Sequence, residues 1–281
     1  MKSRLLYFFT IIFFYCNISI SEIYNFEVSK IDIKNNGKII NAYDGKIFSE
    51  KKNIEIYAEK FLYFKELDLL EAINGNAYIK KEKINIKFNL FKLNNKNILT
   101  ASDGIQIEDL KNSINIEGRK IILDRNKNIL TASDGIQIED LKNSINIEGR
   151  KIILDRNKNI LTASDGIQIE DLKNSINIEG RKIILDRNKN ILTASDGIQI
   201  EDLKNSINIE GRKIILDRNK NILTASDGIQ IEDLKNSINI EGKKIILDRN
   251  KNILISNYNS TLKDKYENTF EAKKFKYHLD R

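Results

Sequence analysis

The chain has 281 residues, a formal net charge of +7, and is 41% hydrophobic and 31% charged, which allows a buried core in one or two domains. It holds one Cys, one His and no Pro or Trp. So sparse a set argues against Ser/His/Asp or Cys/His catalysis and against zinc held by Cys and His.

The N-terminus reads as an export signal over residues 1–21. Lys2 and Arg4 give a basic start, Leu5 to Tyr15 is an apolar run too short to span a bilayer, and Ser19-Ile20-Ser21 offers small residues for cleavage before Glu22. An uncleaved anchor is the alternative. Cys16 follows the bulky Phe13-Phe14-Tyr15, which does not suit lipid attachment. The remainder, 22–281, contains no Cys, so it is expected to hold together without disulfides.

After a flank rich in Phe and Tyr, one 31-residue unit runs five times, over 95–125, 126–156, 157–187, 188–218 and 219–249. The copies differ only where Lys243 replaces the residue that is Arg119, Arg150, Arg181 and Arg212 in the others. In the first copy Lys96, Lys111, Arg119, Lys120 and Arg125 balance Asp103, Glu108, Asp109, Glu117 and Asp124. The surplus charge therefore sits outside the repeats, which also lack Phe and Tyr. That is not the basic, aromatic-studded stripe of a nucleic-acid binder.

Within a copy, apolar residues alternate: Ile105 and Ile107, Ile114 and Ile116, Ile121 and Leu123. The period is that of a strand, and β-branched Ile favours one. Turn chemistry falls at Asp109 to Ser113 and at Asp124 to Asn128. Two strands per copy are predicted, Ile98–Glu108 and Ile114–Leu123, each bent near its middle at Asp103-Gly104 or Gly118. A tight hairpin at Asp103-Gly104, giving four short strands, is the competing reading. A single copy has an open apolar face, so stacking is required, and each added copy lengthens the stack by ~10 Å. Glu108-Asp109 lies beside a turn and recurs in every copy, which suits a solvated face rather than acid–base chemistry or calcium binding. Five matching surfaces do not make the one irregular pocket of an enzyme, and no cofactor or metal is expected.

The flanks repeat the unit in altered form. Residues 53–79 parallel 113–138, with Ala58 at the place of Gly118 and with Phe61 and Tyr63 at those of Ile121 and Leu123; residues 269–281 do the same at the other end. These units are expected to pack differently from the middle ones.

The phrases "ILTASDGIQIED" and "INIEGRKIILDR", with "LEAINGNAYI" in the flank, resemble the OstA-like (organic solvent tolerance) domain family, which forms LptA and the periplasmic part of LptD. The resemblance covers roughly residues 25–281. It implies an all-β fold: an elongated, bent antiparallel β-jellyroll, open as a V, with an apolar interior. It also implies a role in lipopolysaccharide transport in the periplasm, with an association with the outer membrane left open. The implied partners are lipid A acyl chains in the interior and other Lpt-family proteins at the edge strands. The residues it nominates for lipid contact are Ile105, Ile107, Ile114, Ile116, Ile121 and Leu123. The chain has no room for the outer-membrane barrel of LptD, and near-identical copies are not typical of the family, so a portion of a longer LptD-like protein is one expectation. The alternative function is a structural or adhesive exported β-repeat protein with no ligand.

Overall fold

The structure is a computed structural model in which residues 23–280 are described; the expected leader, with Cys16, lies outside them. Among the described residues nineteen antiparallel strands form one continuous sheet. The N-terminal flank supplies β1 (Asn25–Lys34), β2 (Ile39–Ser49), β3 (Ile54–Phe64), β4 (Leu69–Ile79) and β5 (Ile84–Leu93). The copies supply β6 (Ile98–Asp109) and β7 (Ile114–Asp124), β8 (Ile129–Asp140) and β9 (Ile145–Asp155), β10 (Ile160–Asp171) and β11 (Ile176–Asp186). They continue with β12 (Ile191–Asp202) and β13 (Ile207–Asp217), then β14 (Ile222–Asp233) and β15 (Ile238–Asp248). Each strand from β1 to β15 pairs with the next, a simple meander. The two strands expected per copy are present, each one residue longer at its end.

Every even repeat strand bends at its Asp-Gly pair. In β6, Asp103 and Gly104 both have positive φ, 64° and 76°, a conformation that Gly enters freely and Asp tolerates. The ladder steps from Ser102↔Lys120 to Ile105↔Gly118, so two residues oppose the single Arg119. This is a bulge, and it turns the strand without ending it. The tight hairpin does not form. In the flank one residue suffices: Asp44 in β2 and Asn74 in β4 have positive φ with no register slip. A Cβ on Gly75 would run into the Tyr57 carbonyl, which requires glycine there.

The bend folds the sheet lengthwise. In β6, Leu99 and Ala101 before the bulge and Ile105 and Ile107 after it are all 0–3% exposed. A single uncovered sheet face could not hide both halves, so each half covers the other. Register then draws the side chains into files along the stack. One file is leucine throughout, from Leu93 through Leu99, Leu123, Leu130, Leu154 and onward to Leu254. A neighbouring file alternates bulky and small residues: Phe61, Ala72, Phe91, Ala101, Ile121, Ala132. Such alternation lets facing layers interdigitate at core density.

The ends differ from the middle. At the N-terminal end the Phe88 and Phe91 rings meet at 5.0 Å, tilted by 38°, and Tyr24 meets Tyr63 edge-on at 4.9 Å. At the C-terminal end the long strand breaks. β16 (Ile253–Ser256) and β17 (Ser260–Lys263) pair with the two halves of β15, and β18 (Thr269–Ala272) and β19 (Phe275–His278) cover β17 and β16.

Candidate functional site: an apolar interior behind an ionic seam

All six residues nominated for lipid contact point inward. Ile105, Ile107, Ile114, Ile116, Ile121 and Leu123 lie within one continuous core and are 3% exposed or less. The inward positions of β6 to β14, between one strand end and the other, are Leu, Ala and Ile only.

What closes this interior is a row of charges. Folding the sheet brings its two long margins together: the Asp-Leu-Lys-Asn-Ser turns on one and the Asp-Arg-Asn-Lys-Asn turns on the other. Arg156 reaches across to Asp109 with Nε to Oδ2 at 2.7 Å and Nη2 to Oδ1 at 3.1 Å. Arg187–Asp140, Arg218–Asp171 and Arg249–Asp202 repeat that fork, each with Nε to Oδ2 at 2.6 Å. These side chains are 0–1% exposed. Each pair spans 47 residues, about one and a half copies.

The network satisfies its own donors and acceptors. Arg187 Nη2 also donates to the Asn112 carbonyl at 2.6 Å, and Nη1 donates to Asn159 Oδ1. Asp140 accepts from the Asn143 backbone N–H at 3.1 Å and from Asn143 Nδ2 at 2.8 Å. Arg187, in the third copy, thus grips the second copy through Asp140 and the first through Asn112. The flanks continue the row with other chemistry. Arg125 forks onto Glu82, Lys52 pairs with Asp68 at 2.7 Å, and Tyr277 donates its hydroxyl to Asp233 at 2.7 Å. Burial, and then the hydrogen bond to Asp233, pushes the Tyr277 phenol well above its ordinary pKa.

Two sequence expectations are corrected here. Asp109 is not on a solvated face: it is fully buried, while its neighbour Glu108 is exposed. The V implied by the resemblance is not open along its margins, because the arginines clasp them. The signal for Asp109 lay in its parity: it shares the inward phase of Ile105 and Ile107.

An open concavity of the molecule carries polar side chains between the isoleucines of its strands. On the outer face a trough of about 1450 Å³ runs along the stack, lined by Gln106, Glu108, Asn115, Glu117 and their equivalents as far as Glu210. Cross-strand neighbours there alternate Gln with Glu and Glu with Asn, as in Gln106↔Glu117↔Gln137 and Glu108↔Asn115↔Glu139. The alternation keeps carboxylates from facing one another directly, and amides bridge them, as where Asn115 Nδ2 donates to Glu139 at 3.0 Å. Among the described residues no group of three or more His, Cys, Asp or Glu could hold a metal ion.

Among the described residues both ends of the ladder are unpaired. β1 bonds only to β2 and leaves Ile31 and Ile33 exposed; β18 and β19 bond only inward, with Phe270 exposed. The fold and the seam together define a class: a β-repeat rod made of one sheet folded lengthwise, apolar within, clasped along its margins, with free strand edges at its tips.

No family model matches the chain, and no curated protein matches it. Among solved structures it is similar to LptH of Pseudomonas aeruginosa, described as the LptA homologous periplasmic component of the lipopolysaccharide transport device. The identity is 18% and the TM-score 0.38, over 43% of this chain and 86% of that one.

Proposed function

We propose that the chain is a non-catalytic periplasmic protein of lipopolysaccharide transport, which shelters acyl chains in its interior and docks edge to edge with Lpt-family partners through β1 and the β18/β19 edge. One observation carries the reading: an interior of Leu, Ala and Ile only, running from copy to copy along the rod. The resemblance of the repeat phrases to the OstA-like family supports it. An acyl chain can enter only where the seam parts. A rung that opens to water returns both ions to solvent, which costs far less than stranding one buried charge. Burying lipid returns about 0.8 kcal/mol per methylene, so roughly 10 kcal/mol for a dozen.

The closed seam favours a second reading, a structural or adhesive exported rod with no ligand. Photo-crosslinking groups at Ile116 and Leu123, in cells that make lipopolysaccharide, separate the two. Adducts at both positions are expected. Clean protein at both, with no lipid co-purifying, would leave the ligand-free rod.

A further inference from the structure

Beside the seam the rod carries a second row, which the transport reading does not use. Each Asp-Leu-Lys-Asn-Ser turn carries a half-exposed leucine at its second position: Leu110, Leu141, Leu172, Leu203 and Leu234, between 49% and 54% exposed. Scattered surface leucines are ordinary. These fall on one margin, one per copy, at a spacing of ~10 Å. Each is followed by an exposed lysine: Lys111, Lys142, Lys173, Lys204 and Lys235.

The lysines on the facing margin are neutralised. Lys127, Lys158, Lys189, Lys220 and Lys251 each pair with the aspartate three residues earlier. The seam arginines are matched by aspartates as well. Among the described residues the lysines that follow the leucines form no ion pair with a carboxylate, so they are uncompensated cations of this side. The backbone that carries the leucines is also held in place. The N–H of Leu141 donates to the Ser113 carbonyl at 3.1 Å, one turn back along the margin, and Leu172, Leu203 and Leu234 repeat the contact. The row is built in advance of any partner.

We infer that this margin binds an anionic lipid surface, its leucines entering the interface and its unpaired lysines meeting lipid phosphates. Apolar tips beside free cations are the chemistry that such a surface recognises. Charge complementarity selects it over a neutral one. The inference stands apart from the transport reading, since it needs neither an open interior nor a docked partner.

The test is co-sedimentation of the chain from Glu22 onward, which contains all nineteen strands, with phosphatidylglycerol/phosphatidylcholine vesicles and with phosphatidylcholine alone. Binding to the anionic vesicles alone, weakening as salt rises, is expected. Lys142→Gln, Lys173→Gln and Lys204→Gln together should weaken it roughly a hundredfold, at about fivefold per lysine. Leu141→Ser, Leu172→Ser and Leu203→Ser should weaken it as well, with the circular dichroism spectrum unchanged. Lys151→Gln, Lys182→Gln and Lys213→Gln, at the bend, make the same change in net charge and should have little effect. No binding to anionic vesicles, equal loss from the bend lysines, or binding indifferent to the leucines would each overturn the inference. In the first case the row would be left to a protein partner.

Discussion

Replacing Arg187 by Met removes one side of a fully enclosed rung. Asp140 then remains a buried carboxylate with only the two donors of Asn143. It loses the fork from Nε at 2.6 Å and Nη2 at 2.9 Å, and the Asn112 carbonyl loses its donor as well. Stranding one member of a buried pair costs about 3–5 kcal/mol; with two donors retained, about 3 kcal/mol is expected. The double variant Asp140→Leu/Arg187→Met removes both charges and fills the space with carbon, and such exchanges come out near neutral. It should lie within about 1 kcal/mol of the parent, so most of the loss in the single variant reappears as coupling between the two sites. Urea unfolding followed by far-ultraviolet circular dichroism measures all three proteins. A single variant costing under about 0.5 kcal/mol, or a double variant as weak as the single, would refute the seam as a coupled buried device.

Two further outcomes are expected. Deleting residues 157–187 joins Arg156 to Asn188 in the same register that every copy boundary already has, so the protein should fold and its maximum dimension by X-ray scattering should shorten by ~10 Å; an unfolded product would show that the copies are not interchangeable. The turn carboxylates Asp124, Asp155, Asp186 and Asp217 are held below the usual carboxylate range chiefly by the backbone N–H of the lysine three residues on, and Asp248 chiefly by the Lys251 side chain. Their pKa values are lower folded than unfolded, so their contribution is whole above about pH 4 and is lost as pH falls through the folded values. The urea midpoint should decline in that acid window, less so with all five changed to Asn; a midpoint equally pH-dependent in parent and variant would contradict this.

The strands were legible because β-branched residues alternate at period two between turn-forming clusters, and both signals are local. The bend was legible for the same reason: Asp103-Gly104 has the two residue types that accept positive φ. The single difference among the copies also makes sense locally, since Lys243 stands at a position equivalent to the exposed Arg119. The seam was hidden because it depends on where the folded margins meet. Asp109 finds Arg156 47 residues away, an offset that neither the 31-residue repeat nor the strand period contains. The neighbouring Glu108 made Asp109 look like half of a solvated pair, although its phase put it inside. Likewise the six nominated residues are buried, but nothing in their spacing shows whether the surface they line is open or covered.

The clasped margins also have a mechanical consequence. A slotted tube twists under little torque because its two lips slide past one another; fastening the lips gives a closed cross-section that shares shear around its whole perimeter. Arginines that each hold three successive units prevent that sliding at every step. Lengthening the array by another unit would then extend its reach while leaving the relative rotation of the two tips well defined, as a stiff spacer between distant attachment points requires.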